Sequence, residues 1–223
     1  MAKVAIDGPA GAGKSSIAKS AARALGWIYI DTGAMYRAAG LNALRCGIDI
    51  KSNPADAYGT VENLDIRIEF LDGEQHIFIG DEDVSGKIRT PEVSVAASDI
   101  SAIPEVRVKL VDLQRKLAED KNVIMDGRDI GTHVFPDAEV KIFLTASPEV
   151  RAMRRYKELC EKGDNSSYEE VLKSVVERDK NDTTRAASPL RPADDAVILD
   201  TSELDFGESV NAVLNIIDKD CKI

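Results

Sequence analysis

The sequence contains few cysteines, histidines and aromatic residues, and its apolar runs are short. Its three cysteines, Cys46, Cys160 and Cys221, are widely spaced and form no CxxC pair. This pattern excludes a disulfide framework and predicts reduced thiols in a cytoplasmic protein. With only two histidines, His76 and His133, far apart in the chain, we expect no histidine metal cluster. The apolar runs fall well below the roughly 18 residues needed to cross a bilayer, so we also expect no membrane association.

The chain also lacks an excess of positive charge. Its 223 residues include 29 Lys and Arg against 39 Asp and Glu, which gives a net charge of −10. Because proteins that bind nucleic acids usually present a basic surface, we expect no nucleic-acid partner. The first apolar stretch reaches Asp7-Gly8 almost at once, so we expect no secretory signal. The length suggests one domain with room for a small insertion.

Short apolar segments alternate with helical segments along most of the chain. Helical patterns cover residues 15–25, 33–44 and 206–217, and further helices are expected from Pro91, Pro148 and Ser167, the last opening with capping-box spacing. Alternating strands and helices are typical of a parallel sheet covered by helices on both faces. The five core strands are predicted at residues 3–6, 27–30, 123–125, 140–144 and 196–199.

A different pattern interrupts this alternation in the first half of the chain. Apolar and polar residues alternate over 66–70 and again over 77–79, and Asp72-Gly73 between them has the composition of a hairpin turn. A third short strand is possible over residues 82–85. We therefore predict a small antiparallel β insertion over residues 64–89, with one face exposed to water.

The strongest motif is the segment GPAGAGKS at residues 8–15, which fits GxxxxGK[ST] between a strand and a helix. In such a loop, backbone N–H groups surround a phosphate, Lys14 contacts the β- and γ-phosphates, and the Ser15 hydroxyl ligates Mg²⁺. A glycine-rich turn that only opens a helix is the alternative, which this context disfavours. We predict nucleoside triphosphate binding by Gly8, Pro9, Ala10, Gly11, Ala12, Gly13, Lys14, Ser15 and Ser16.

No guanine-reading Asn-Lys-x-Asp segment is present, since residues 179–182 have its composition in the wrong order. A GTPase is therefore not expected. Several segments that carry arginine suggest phosphoryl transfer to a second anionic substrate instead.

The segment Asp126-Gly127-Arg128-Asp129 follows the third predicted core strand. Ligands of open parallel sheets bind beyond the carboxyl ends of the strands, so this segment should face the same crevice as the phosphate loop. Asp126 is placed like a Walker-B acid and could orient Mg²⁺ through water. A surface ion pair between Arg128 and Asp129 is the alternative.

Arg37 lies near the start of the helix predicted at 33–44, which Asp31 or Thr32 could cap. We place Arg37 in the first turn, where a cation opposes the helix dipole and a bound phosphate would explain its presence. Arg151, Arg154 and Arg155 form either an exposed basic helix face or part of a mobile cover over the transferred phosphoryl group.

A third cluster lies further along the chain. If the helix that begins near Ser167 persists, Arg178, Asp182 and Arg185 share one of its faces. That face is either a salt-bridge ladder or a site for a sugar phosphate, and the spacing does not separate the two.

These segments together closely resemble the bacterial-type cytidylate kinases of the nucleoside monophosphate kinase group, over residues 3–219. The resemblance rests on five blocks in family order: IDGPAGAGKSS, DTGAMYR, EDVSGKIRTPEVS, DGRDIGTHVFPDA and ERDKNDTTRAASPL. It implies the α/β fold of P-loop nucleoside monophosphate kinases, with a five-stranded parallel sheet, an antiparallel β insertion and a helical lid. It also implies transfer of the ATP γ-phosphate to CMP or dCMP with Mg²⁺.

The resemblance further implies one kinase domain over residues 1–223. Its core and acceptor-binding helices would comprise 1–63, 90–147 and 186–223, with the β insertion at 64–89 and lid helices at 148–185. We expect a monomer, because no exposed apolar stripe is evident.

The resemblance also assigns site residues by position. For the acceptor these are Arg37, Arg128 and Arg185 at the phosphate, Thr32 (serine in some relatives), Ser98, Arg107 and Asp129 at cytosine, and Arg178 and Asp182 at the ribose. Catalysis is assigned to Lys14, Arg128, Arg185 and, more loosely, Arg154.

Base chemistry then predicts a preference for CMP over UMP. Asp129 can accept a hydrogen bond from N4 of cytosine while Arg107 donates to N3 or O2, and uracil reverses the polarities at N3 and at the 4-position. Two alternatives remain: a kinase of the same fold with another small acceptor, and an ATP-binding regulatory module without transfer activity.

Overall fold

The structure is a computed structural model that describes residues 1–71, 74–161 and 163–221. The predicted turn at Asp72-Gly73 lies outside the described residues. The chain divides into two compact units, one formed by Met1–Tyr29 with Asp120–Ile223 and the other by Ile30–Glu119. Within the described residues, no helix combines the length and apolar character that a membrane span requires.

The helices and strands follow the predicted alternation. In chain order the strands are β1 Lys3–Asp7, β2 Ile28–Asp31, β3 Ile66–Leu71, β4 Glu74–Ile79, β5 Glu82–Asp83, β6 Val123–Gly127, β7 Val140–Thr145 and β8 Val197–Asp200. The helices are α1 Lys14–Leu25, α2 Thr32–Arg45, α3 Pro54–Glu62, α4 Pro91–Ile100, α5 Pro104–Leu117, α6 Pro148–Glu161, α7 Tyr168–Thr184 and α8 Phe206–Cys221.

A five-stranded parallel sheet with the order β2-β6-β1-β7-β8 confirms the predicted core. β1 lies between β6 and β7, with Val4 opposite both Ile124 and Val140. The strands are apolar because helices cover both faces of such a sheet. Since β1 runs directly into the glycine-rich loop, that loop lies at the carboxyl edge beside the ends of β6 and β7.

The core of the first unit joins this sheet to two helices. Helix α1 ends at Gly26 as predicted, and α8 packs beside it. The buried side chains come from one face of each element: Val4, Ile6, Ile17, Ala18, Ala21, Ile124, Ile142, Leu144, Val213 and Ile217.

Helices α6 and α7 have a small apolar core of their own, formed by Ala152, Val171 and Val175. The predicted capping box opens α7, because the Ser167 hydroxyl accepts from Glu170 N and the Glu170 carboxylate accepts from Ser167 N. Both hydrogen bonds satisfy backbone donors that the first turn of a helix leaves free.

In the second unit, α2 packs closely against α4. A Cβ added to Gly40 would lie 2.9 Å from the backbone nitrogen of Ala97, so glycine permits this close approach. The β insertion is an antiparallel sheet of order β3-β4-β5, as predicted, and its third strand has only two residues.

Within the described residues, three elements were not predicted: helix α3, the 3-10 turn Lys87–Arg89 and the turn after Asp129. Helix α3 buries only Ala57 and Val61, too few apolar residues to give a helical pattern, although Pro54 at its start is a helix-opening signal. The residues after Asp129 form a π-helical turn, Ile130–Val134, which has no periodic signature in the sequence.

Candidate active site

The glycine-rich loop connects β1 to α1 and has a backbone that requires glycine at its first position. Gly8 has φ 149°, and a Cβ there would lie 1.9 Å from the carbonyl oxygen of Leu144. Among the described residues, no side chain caps the N-terminus of α1 at Gly13. The first-turn N–H groups and the positive end of the helix dipole are therefore suited to an anion.

Lys14 is buried at the start of α1, and its Nζ donates a hydrogen bond to the Pro9 carbonyl oxygen at 2.8 Å. Burial lowers the pKa of Lys14 to about 7, and the nearby charge of Arg128 acts in the same direction. Asp126 and Asp182 oppose this shift. A bound phosphate would favour the charged ammonium, because an anion nearby stabilises it.

Ser15 and Asp126, the two residues predicted to serve Mg²⁺, lie together. The Ser15 hydroxyl donates to Asp126 Oδ2 at 2.9 Å, and the Tyr29 hydroxyl donates to Asp126 Oδ1 at 2.8 Å. Hydroxyl and carboxylate oxygens suit a hard cation that keeps water and phosphate oxygens as its other ligands, so these residues fit Mg²⁺. Within the described ranges, no cluster of three or more His, Cys, Asp or Glu side chains could hold a metal ion.

Asp7, at the end of β1, is a buried carboxylate that the sequence patterns did not single out. It accepts hydrogen bonds from Ile130 N at 2.8 Å and Gly131 N at 2.7 Å. These bonds connect the strand that leads into the phosphate loop with the π-helical turn after Asp129. Burial raises the pKa of Asp7 to about 7 against the opposing effect of the two N–H donors.

Arg128 and Asp182 form an ion pair in which Arg128 Nε donates to Asp182 Oδ2 at 2.8 Å. Asp182 is 4% exposed. Burial alone would raise the pKa of Asp182, but the charges of Arg128, Arg178 and Arg185 hold that pKa below its ordinary value. The alternative in which Arg128 and Asp129 simply pair with each other is therefore not what the structure shows.

The expected face of Arg178, Asp182 and Arg185 needs correction, because α7 ends at Thr184. Arg185 has extended backbone at φ −61° and ψ 142°. Its Nε donates to the Ser188 carbonyl oxygen at 2.8 Å, and its Nη2 lies 3.9 Å from Asp129 Oδ1. Asp182 pairs with Arg128 after β6, so a simple ladder within α7 does not describe this cluster.

The three arginines of α6, Arg151, Arg154 and Arg155, make different contacts. Arg151 is 3% exposed and donates to both carboxylate oxygens of Asp179, at 3.0 and 2.6 Å, and to the Ala10 carbonyl oxygen at 3.0 Å. Arg154 donates to the Thr201 carbonyl oxygen at 2.7 Å. Arg155 makes a surface pair with Glu158. An exposed basic face is therefore wrong for Arg151, which contacts the phosphate loop directly.

In the second unit, Asp31 rather than Thr32 caps α2, because its carboxylate accepts from Ala34 N at 3.0 Å. Since α2 begins at Thr32, Arg37 lies in the second turn and not in the first. Its Nη2 donates to Asp31 Oδ2 at 2.6 Å. The position of Arg37 is thus explained in part by an ion pair that the sequence did not reveal. Thr32 itself is buried.

Arg107 is buried in the same unit, on α5. Its guanidinium carbon lies 5.5 Å from the centre of the Tyr36 ring, and its Nη1 donates to the Ser101 carbonyl oxygen at 3.2 Å. The negative face of the ring attracts the guanidinium and helps to hold this buried cation in place. Ser98 is half-buried on α4, three residues before Ser101.

The fold, together with the glycine-rich loop between β1 and α1, defines the class of protein as a P-loop kinase. A sugar kinase from Janibacter sp. HTCC2649, solved without ligand, superposes with a TM-score of 0.50 over 98% of this chain and 95% of that chain, at 13% identity, which supports the fold alone.

The sequence comparisons are more specific. The cytidylate kinase family model matches residues 4–219. The cytidylate kinase of Caldicellulosiruptor bescii is 53% identical over 97% of this chain and 95% of its own length. The cytidylate kinase of Mycobacterium leprae is 52% identical over 96% and 94%. The chain belongs to the cytidylate kinase family, as its five sequence blocks indicated.

Proposed function

We propose that this protein transfers the γ-phosphoryl group of ATP directly, in line, to CMP and dCMP, and so forms CDP and dCDP. Beyond family membership, the observation that supports this most is a pair of cations at the carboxyl ends of adjacent strands: Lys14 is buried at the start of α1, after β1, and Arg128, held by Asp182, directly follows β6. One cation belongs to the phosphate loop and the other follows β6. Two neighbouring cations of separate segments suit a donor and an acceptor that are both anions.

The donor would occupy the loop from Gly8 to Ser16, with Lys14 at the β- and γ-phosphates. Mg²⁺ would be held by the Ser15 hydroxyl and, through water, by Asp126. When bound, Mg²⁺ supplies positive charge that neutralises the phosphate oxygens during transfer. The hydrogen bond between Ser15 and Asp126 supports this assignment, because it already brings both oxygen donors together.

The acceptor would be bound by three groups of residues. Asp129 would accept from N4 of cytosine while Arg107 donates to N3 or O2, which disfavours uracil by leaving buried groups unpaired. The full assignment is Arg37, Arg128 and Arg185 for the phosphate, Thr32, Ser98, Arg107 and Asp129 for the base, and Arg178 and Asp182 for the ribose.

Catalysis would consist mainly of positioning and charge neutralisation. The phosphate of CMP is already an anionic nucleophile, so no general base is required. Lys14, Arg128 and Arg185 would offset the repulsion between the two substrates, with Arg154 near the loop. Residues 148–185 would serve as a lid that excludes water and so prevents ATP hydrolysis.

We also propose that the protein works in the cytoplasm as a monomer. Cys46, Cys160 and Cys221 are free thiols, which suits a reducing compartment. Size-exclusion chromatography with light scattering would test the monomer prediction.

An ADP-release assay with a panel of acceptors tests the proposed activity. We expect ADP formation with CMP and dCMP, and much less with UMP, AMP, GMP or small hydroxy acids. ADP formation with another acceptor only would support a different kinase of this fold. Tight ATP binding without ADP formation from any acceptor would support a regulatory module instead.

A further inference from the structure

The side chain of Gln75 makes two hydrogen bonds with the main chain of Asp31. Asp31 N donates to Gln75 Oε1 at 2.8 Å, and Gln75 Nε2 donates to the Asp31 carbonyl oxygen at 3.2 Å. Gln75 lies on β4 of the β insertion, whereas Asp31 is the last residue of β2. Because an amide side chain carries an N–H donor group and a carbonyl acceptor side by side, Gln75 pairs with the main chain of Asp31 as a neighbouring strand would.

Asp31 in turn organises the start of α2. Its side chain is largely buried, and it accepts from both Ala34 N, at 3.0 Å, and Arg37 Nη2, at 2.6 Å. A Cβ added to Gly33 would lie 3.1 Å from both Asp31 Oδ1 and Arg37 Nη1, so the packing around this pair is tight. A shift in the Asp31 main chain would therefore move the Arg37 guanidinium.

Arg37 retains a donor that suits an acceptor oxygen. Its Nε is buried and makes no hydrogen bond within the described part of the chain. A buried donor left without a partner is costly, and a ligand oxygen would remove that cost. The ion pair with Asp31 fixes the direction in which this donor points.

We propose that Gln75 is a positioning residue through which the β insertion holds Arg37 in place for the acceptor phosphate. The connection runs from the Gln75 amide to the Asp31 main chain, and from the Asp31 carboxylate to Arg37. This inference rests on the proposed function, in which Arg37 binds that phosphate. It gives the β insertion a role in acceptor binding that requires no contact of its own with the nucleotide.

Steady-state kinetics of Gln75→Ala test the role. We expect the KM for CMP to rise about tenfold, while the KM for ATP changes less than about twofold, since two hydrogen bonds to Asp31 are lost. Gln75→Glu should raise the KM for CMP further, because a carboxylate cannot donate to the Asp31 carbonyl oxygen and adds negative charge. An unchanged KM for CMP in Gln75→Ala would overturn the inference.

His76→Ala provides a matched control on the same strand. His76 Nδ1 lies 2.8 Å from Asp83 Oδ2, so its removal weakens the β insertion without touching Asp31. We expect the KM for CMP to stay within about twofold of wild type, even if the melting temperature falls. An equal rise in KM for both variants would mean that general loosening of the insertion, and not the Gln75 contact, is responsible.

A double-mutant cycle with Arg37→Ala identifies the route of the effect. If Gln75 acts through Arg37, Gln75→Ala should cause little additional loss in the Arg37→Ala background. The same fold-loss in both backgrounds would contradict the proposed connection.

Hydrogen exchange of the nucleotide-free protein separates this inference from the proposed function. We expect the Ala34 amide to exchange faster in Gln75→Ala than in wild type or His76→Ala, whether or not CMP is a substrate. Absence of CMP turnover in wild type would refute the proposed function, whereas unchanged exchange at Ala34 would refute the positioning role.

Discussion

Arg128, directly after β6, donates a hydrogen bond to Asp182 near the end of α7 at 2.8 Å. This ion pair joins the segment after β6, which is proposed to bind the acceptor, to the helix expected to form part of the lid. Each partner compensates a charge that burial would otherwise make costly. Removing one partner should therefore disturb the other, and this affects how the ribose role of Asp182 can be tested.

Asp182→Ala should reduce catalytic efficiency with CMP more than with dCMP. Catalytic efficiency should fall with both substrates because Arg128 loses its partner, but only CMP also loses a hydrogen bond to its 2′-hydroxyl. We expect an additional loss of about tenfold with CMP, the size of one charge-assisted hydrogen bond. The measurement is kcat/KM for both acceptors, with Glu177→Ala at an exposed position of α7 as the control. Equal losses with CMP and dCMP would refute the ribose role.

Lys14→Ala should lose most of the rate. We expect kcat to fall about 10²–10³-fold, the loss typical for removal of one transition-state charge partner. Lys19→Ala, in the same helix but outside the loop, is the control and should retain its activity. A small change in kcat together with a raised KM for ATP would instead assign Lys14 to ground-state binding alone.

Binding of ATP should be accompanied by proton uptake at Lys14. Its pKa of about 7, against an ordinary value of 10.5, leaves the amine largely neutral at pH 8 in the free protein. The triphosphate should raise that pKa again, so close to one proton is taken up. Calorimetry in buffers with different ionisation enthalpies measures this number. Lys14→Met should lose the uptake, and an unchanged value in that variant would contradict the assignment.

Asp7 should make the stability of the fold depend on pH. Burial raises its folded-state pKa to about 7 from an ordinary value of 3.8. Between these values the native state holds one more proton than the unfolded state, so the free energy of unfolding falls as pH rises. Between pH 5 and pH 7, the titration of Asp7 should lower the free energy of unfolding by about 2 kcal/mol.

Asp7→Asn removes this titration while keeping the shape of the side chain. Urea unfolding of both proteins at pH 5 and 7 isolates the Asp7 contribution, because all other groups titrate in both. The free energy of unfolding of wild type minus that of Asp7→Asn should be more positive at pH 5 than at pH 7. A difference that does not change with pH would show that Asp7 keeps an ordinary pKa.

Local patterns were enough to predict the elements that form the sheet and the phosphate loop. The run into Asp7-Gly8 and the spacing of Lys14 and Ser15 each lie within a few neighbouring residues. The capping box at Ser167 and Glu170 is equally local. The family resemblance then supplied candidate residues that no periodicity could identify.

The missed features depend on partners that are distant in the sequence. Asp7 binds backbone N–H groups more than 120 residues away, and Gln75 binds the main chain of Asp31 across 44 positions. The salt-bridge ladder within α7 was not found because Asp182 pairs with Arg128, which lies 54 residues earlier in the sequence. A pattern within one segment carries no information about which other segment the fold brings beside it.

Transfer of a labelled γ-phosphate tests the central claim most directly. The purified protein is incubated with γ-labelled ATP, Mg²⁺ and either CMP or UMP, and the products are separated by chromatography. We predict that the label appears in CDP, with UDP formed at least about 100-fold less efficiently. Label found only in inorganic phosphate, or in UDP as readily as in CDP, would contradict the account.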